Sequence, residues 1–295
     1  MIRREFFGSV GGMMALAGVV SCSTSNPAMQ KAANTFKEKI KEIETSSGGR
    51  LGVAVLDTQT GASLSWRGDE RFPMASTFKL ALAALVLSRT DQGIESLQRR
   101  IIFDKADLVT YSPVTEKRVG GSGMSLSELC EATVTWSDNG AANLIMKTLG
   151  GPESVTAFFR KLGDRETRLD RWEPELNTAL PGDPRDTTTP QAMLATVQRI
   201  VLGDALSPIA RQQMTAWLLS NKVGDSKIRA GVPAGSYVAD KTGGGGNGTN
   251  NDVGVIWLPG KAPVVLTCYL TGTTAEGKVR DATIANVTKV VTAAL

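Results

Sequence analysis

Ser76 and Lys79 stand three residues apart in the stretch MASTFK. A serine hydroxyl is a poor nucleophile until a base removes its proton. A lysine serves as that base only when burial or a neighbouring cation depresses its pKa. Read alone, the pair is equally an ordinary helix start with Ser76 as a cap. Further along lie Ser137-Asp138-Asn139, the segment RWEPELN from Arg171 to Asn177, and Lys241-Thr242-Gly243. Each has a plain structural reading on its own: a helix-initiating turn, a loop with a solvated carboxylate, a surface lysine. All four in this order, each in a fitting local pattern, point to acyl transfer. The chemistry would use a serine nucleophile, a lysine to activate it, and a second serine. A carboxylate, Glu173, stands four residues before an amide, Asn177, suited to hold a water between them.

Composition narrows the choice of base. The chain of 295 residues contains no histidine. That removes the Ser-His-Asp triad, the Cys-His pair and every His-ligated zinc site. A hydrolase built on this chain must use lysine or a carboxylate. Net charge is +4, from 33 basic and 29 acidic residues. The basic residues are scattered rather than gathered in a stripe, so nucleic acid is not an expected partner. Hydrophobic residues at 41% and charged residues at 21% are those of an ordinary globular protein.

These residues need elements to carry them. Residues 26–44 read as a helix with Phe36, Ile40 and Ile43 on one face. Residues 50–68 read as two strands joined by a Gln-Thr-Gly turn. From Ser76 the pattern turns helical, and FKLALAALVLSRT is apolar nearly all round, the mark of a buried helix. Helical patterns follow at 126–136, 141–149, 153–162, 190–202 and 208–220. Between Arg168 and Thr189 lies a polar, proline-bearing segment of a length usually tied to function. After Gly235 the period becomes two, giving three antiparallel strands, and a helix over 279–295 closes the chain. One sheet built from both chain ends follows, with the helical middle as a second lobe. The expected organisation is an α/β lobe from 28–72 and 217–295, and a helical lobe from 73–216 that includes loop 168–189.

The first 21 residues read as a signal peptide: Arg3-Arg4, an apolar run from Phe6 to Val20, then small residues. The run is too short to span a bilayer. Arg3-Arg4 with Phe6-Phe7 resembles a twin-arginine signal, and Val19-Val20-Ser21-Cys22 resembles a lipoprotein processing box that would tether the chain to a membrane through Cys22. The plain alternative is an ordinary cleaved signal with a chance cysteine. Cys130 and Cys268, the other two cysteines, have apolar neighbours and are expected to be buried free thiols.

On the strength of SxxK, SDN, the RWEPELN loop and KTG, the chain resembles a class A serine β-lactamase over essentially its whole length after the signal. LVTYSPVTEK, GDPRDTTTP and VPAG resemble family segments as well. The resemblance implies an α+β fold: a five-stranded antiparallel sheet flanked by helices, plus an all-helical lobe, with the active site in the cleft between them. It implies hydrolysis of the β-lactam amide of penicillins and cephalosporins through an ester on Ser76, and so antibiotic resistance. The family's acylation base is disputed between Lys79 and Glu173, and both stay open here. Glu173 and Asn177 are implied to hold the water that cleaves the ester. The N–H groups of Ser76 and Gly244 would form the oxyanion hole. Ser137, held by Lys241, would give a proton to the departing nitrogen. Asn139 would bond the substrate's side-chain amide and Tyr111 would form an apolar wall. Thr242, Gly243 and Arg280 would bind the substrate, its carboxylate falling to Thr242 and Arg280. Asn250 stands where some relatives carry their arginine. Glu173-Pro174 is expected to be cis, and Arg171 with Asp186 resembles the ion pair at the loop's neck. Neither metal nor cofactor is implied. The expected partner is a small-molecule β-lactam, and the expected state an exported, periplasmic monomer.

Two rival readings share part of this pattern. A penicillin-binding peptidase has the Ser-Lys pair, the second serine and KTG, but lacks a loop like that of Glu173 and Asn177. A non-catalytic envelope lipoprotein of the same fold would have no need of Ser76, Lys79, Ser137, Glu173 and Lys241 together.

Overall fold

The computed structural model describes residues 27–294. The expected signal peptide, Arg3-Arg4 and Cys22 lie outside the described residues. Strands β1 (Arg50–Asp57) and β2 (Ser63–Trp66) come from the N-terminal part of the chain. Strands β3 (Tyr237–Gly244), β4 (Asn250–Trp257) and β5 (Val264–Thr271) come from its end. They form one antiparallel sheet in the order β2-β1-β5-β4-β3, which leaves β3 on an edge. The two halves meet where β1 pairs with β5, from Arg50 opposite Thr271 to Asp57 opposite Val264. Every residue of β5 is buried, because helices cover both faces of the sheet there.

On one face lie α1 (Pro27–Ser47) and α8 (Gly277–Ala294), packed on each other. Their apolar stripes close a core with Phe36, Ile40, Val53, Leu266, Ile284 and Val287. The sequence pattern ends α1 at residue 44; the helix runs to Ser47. The hydroxyls of Thr45, Ser46 and Ser47 bond back to carbonyls one turn earlier, which closes the extra turn. On the other face, α6 (Pro190–Val201) packs on β1, β4 and β5. Beyond it, α2 (Lys79–Asp91) is wrapped by α3 (Leu126–Thr135), α4 (Asn139–Leu149), α5 (Pro152–Lys161) and α7 (Pro208–Leu219). This is why its sequence is apolar on nearly every side. A single core continues from α2 to Ala54, Val253, Val265 and Tyr269 on the sheet, so the helical elements and the sheet share one interior. A lobe division after residue 216 falls inside α7, which also packs on β3.

Cys130 sits in the helical core and Cys268 in the core beneath α1 and α8, on opposite sides of the sheet. Both are free and buried, and burial pushes both thiols far up. In a chain without residues 1–26, a thiol reagent is expected to react slowly in native buffer. It should find both thiols after unfolding without reductant; finding fewer would mean a bridge.

Candidate active site

The nucleophile candidate lies in a short 3₁₀ turn, Ala75–Phe78, and not in the α-helix that the sequence pattern starts at Ser76. Helix α2 begins at Lys79. Ala75 adopts a left-handed backbone (φ +44°), as do Tyr111 (φ +66°) and Ser137 (φ +59°). Residues with a Cβ avoid this region, and such outliers gather where a side chain must be aimed. Ser76 itself is nearly buried, with its N–H at the positive end of the helical dipoles. Among the described residues its hydroxyl makes no hydrogen bond.

Lys79 has no exposed surface. Its Nζ donates to Ser137 O at 2.7 Å and Asn139 Oδ1 at 2.5 Å. It also lies 3.0 Å from Glu173 Oε1, a charge contact whose angles fall short of a hydrogen bond. Two acceptors and a carboxylate oxygen thus surround one nitrogen. Burial pulls Lys79 below the usual lysine range, while Glu173 and Asp138 hold it up. The oxygens around Nζ thus favour the charged form against that burial.

Asp138 explains the SDN turn. It caps α4 by accepting from Ala141 N at 2.8 Å. It also accepts from Val114 N, Thr115 N and Thr115 Oγ1 at 2.8–2.9 Å. The cap fixes Ser137 and Asn139 on either side of it. Asn139 reaches Lys79 through Oδ1 and Thr110 O through Nδ2 at 2.8 Å. Its N–H donates to Tyr111 O at 2.9 Å, and Tyr111 is exposed at the rim. Lys241 on β3 donates to Ser137 Oγ at 3.1 Å and to Thr242 O at 2.9 Å. Burial first, and then the like charge of Lys79, depress Lys241 well below the ordinary range.

Glu173 enters from the loop between α5 and α6. Its peptide bond to Pro174 is cis. Asn143, one turn after Asn139 on α4, clamps it from both sides: Glu173 N donates to Asn143 Oδ1 at 3.0 Å, and Asn143 Nδ2 donates to Glu173 O at 2.8 Å. Asn177 Nδ2 donates to Glu173 Oε2 at 2.5 Å. The loop's neck is closed by Arg171 Nε on Asp186 Oδ2 at 2.6 Å, while Asp186 Oδ1 accepts from Asp170 N and Arg171 N. The loop rests on the end of β3, where Gly246 N donates to Asn177 O at 2.8 Å. A Cβ on Gly245 would come within 2.7 Å of that same oxygen, so the close approach requires glycine there.

Lys79, Ser137, Asn139, Glu173, Asn177 and Lys241 are thus joined by direct contacts, with Ser76 one helical turn before Lys79. Thr242, Gly243 and Gly244 continue β3 beyond Lys241. Arg280 lies in the first turn of α8, half-buried, and no side-chain hydrogen bond or ion pair joins it to this cluster among the described residues. Its Nε is buried without a partner, and its charge acts on Lys227. Asn250 is occupied by Asp281, to which its Nδ2 donates at 2.9 Å. Sequence reading missed Asn143, although its spacing of four from Asn139 marks a shared helix face. It also missed Lys227, a buried lysine whose positive charge presses on Lys241, and nothing in its neighbourhood of sequence signals that.

The model of the beta-lactamase enzyme family matches residues 35–295. Beta-lactamase OXY-2 of Klebsiella oxytoca is 46% identical over 280 residues, 95% of this chain and 96% of that protein. Beta-lactamase CTX-M-8 of Citrobacter amalonaticus is 44% identical over 280 residues, with the same coverage of 95% and 96%. Among solved structures, an ancestral (GNCA) class A beta-lactamase aligns with a TM-score of 0.87 at 61% identity, over 88% of this chain and all of that one. A putative class A beta-lactamase, PenP from Rhodopseudomonas palustris, aligns with a TM-score of 0.87 at 52% identity, over 88% of this chain and 100% of that one.

Proposed function

This chain belongs to the class A β-lactamases of the beta-lactamase enzyme family, and from that premise we propose that it opens the β-lactam amide through an ester on Ser76. It is a hydrolase of β-lactams, the activity behind resistance. Ser76 Oγ attacks the lactam carbonyl, whose oxygen is received by the N–H groups of Ser76 and Gly244. The Ser76 proton leaves toward Glu173, either across a water or by way of Lys79 once Lys79 has handed its own proton on. The C–N bond then breaks as Ser137 gives its proton to the nitrogen. Ser137 recovers one from the protonated Glu173 by way of Lys79, with Lys241 beside it, so that Glu173 is again a carboxylate before the second step. Glu173, oriented by Asn177 and Asn143, takes a proton from a water that attacks the ester. The ester oxygen recovers a proton as Ser76, and the opened acid leaves.

Substrate is held by Asn139 at its side-chain amide, by Tyr111 as a wall, and by Gly243 along the strand. Thr242 and Arg280 take its carboxylate. The substrates are penicillins and cephalosporins. The chain is exported as a monomer to the bacterial periplasm by the signal in residues 1–21, with Arg3-Arg4 as a twin-arginine signal and Cys22 as a lipid tether. Residues 28–72 and 217–295 form the α/β lobe and 73–216 the helical one, with the boundary passing through α7.

The observation that carries this reading is the buried contact of Lys79 with Glu173, Ser137 and Asn139, one turn from Ser76. The Glu173–Asn177 contact favours it over a peptidase, whose ester must persist. The test is intact mass after mixing with a slowly turned-over β-lactam. An adduct is expected on the peptide containing Ser76 and lost in Ser76→Ala. An adduct elsewhere, or one that survives Ser76→Ala, overturns the assignment.

A further inference from the structure

We propose that Asn251 is a positioning residue for the nucleophile, holding the left-handed turn from which Ser76 projects. Asn251 lies on β4, opposite Gly243 of β3, and has no exposed surface. Its Nδ2 donates to two successive carbonyls, Pro73 O at 2.9 Å and Met74 O at 3.0 Å. Two carbonyl oxygens converging on one point repel each other unless a donor stands between them. The two hydrogens of a primary amide meet that need. The opposite amide orientation would set Oδ1 against both oxygens, so the donor orientation is the one the site accepts. Oδ1 is left buried without a partner, which shows that the contact to the turn governs how the side chain sits.

The Met74 carbonyl belongs to the peptide plane about which Ala75 turns. Ala75 is the residue with φ +44°, next to Ser76. Met74 O also accepts from Thr77 Oγ1 at 2.9 Å, and Met74 N donates to Asp186 O at 2.9 Å. Thr77 thus holds the Met74–Ala75 peptide and Asp186 the N–H of the Pro73–Met74 peptide, while Asn251 is the side chain that reaches the carbonyl oxygens of both. Gly243 makes room, since a Cβ there would come within 2.7 Å of Met74 O and 3.3 Å of Asn251 Nδ2. The consequence is a division of labour: Asn251 aims Ser76 and, among the described residues, its side chain makes no hydrogen bond to Glu173 or its loop.

The inference rests on Ser76 being the nucleophile, so the test follows both chemical steps in the whole protein. Asn251→Leu keeps the volume and removes the donors. Single-turnover acylation with a chromogenic cephalosporin is expected to slow by about 10²-fold, the scale of a reacting group misplaced by about 1 Å. Hydrolysis of the formed ester should change by less than about threefold, because it depends on Glu173. Asn251→Ser, with one donor, should fall between. Adding Ala75→Gly to Asn251→Leu should restore acylation about tenfold, since glycine adopts positive φ without help. A purely structural asparagine would lower the melting temperature without separating the two rates or responding to Ala75→Gly. Equal loss in both steps, acylation within about threefold of the parent, or no recovery in the double variant overturns the proposal. Absence of a Ser76 ester in the unmodified enzyme would instead overturn the reading beneath it.

Discussion

Replacing Glu173 by glutamine is expected to trap the enzyme as its Ser76 ester. The clamp from Asn143 reaches the backbone of Glu173, so it survives the exchange. The amide fills the same space but cannot take a proton from water. Loss of a general base costs about 10²–10⁴-fold, and the whole cost falls on the step that consumes the ester. Acylation is affected less. Glu173, with Asp138, holds Lys79 up against burial; with the Glu173 charge gone, more of Lys79 stands neutral and able to accept the Ser76 proton. A chromogenic cephalosporin should therefore give a burst of one product per active site, followed by near-arrest. Near-normal turnover would refute the role, as would slow turnover without accumulated ester while acylation stays fast.

The mirror variant, Lys79→Met, should block the other step. Ester formation is expected to fall by about 10²–10⁴-fold, because Ser76 loses its neighbouring proton acceptor. The contacts at Ser137 O and Asn139 Oδ1 are lost as well. Glu173, with no exposed side-chain surface, is left as a buried carboxylate without its cation. Breaking a buried pair from one side costs about 3–5 kcal/mol. The variant should unfold at a temperature lower by roughly 10 °C, given about 2–4 °C per kcal/mol at this size. Single-turnover acylation and thermal unfolding measure the two effects. A variant that acylates as fast as its parent shows that water, and not Lys79, carries the proton to Glu173. One that melts at the parent's temperature shows that the pair is not ionic.

What the sequence disclosed was local. The four motifs are short runs whose residues work near one another in the chain. Asp138 caps α4, and Ser137 and Asn139 flank that cap. The apolar run after Ser76 announced a buried helix because α2 is surrounded by other helices. The ends of elements came within a few residues, shifted where serine and threonine hydroxyls extend α1 or where a 3₁₀ turn precedes α2. What stayed hidden depends on distant pairing. Asn251 is one polar residue in an alternating strand, and only the register of β4 against β3 brings it under Pro73 and Met74. The left-handed turn at Ala75 has no signature either, since alanine is not a residue that favours it. The amphipathic pattern of α7 says that it has a buried face but not which elements it covers, so a boundary could be drawn through it.

The seam between β1 and β5 has a kinetic consequence. As the chain is synthesised, β1 and β2 emerge early, and β1 then presents an unpaired apolar edge until residues 264–271 arrive. The backbone hydrogen bonds of the helices between them are local, whereas the pairing of β1 with β5 joins the two ends of the chain, a high contact order that delays closure of the sheet. Every side chain assigned to bond making is already present once Gly244 has been added, and Arg280, assigned to holding the substrate, follows, yet at that moment β3 lacks the strand it pairs with. Catalytic competence therefore arrives late and all at once, and the waiting interval, with an open strand edge exposed, is the time of greatest aggregation risk.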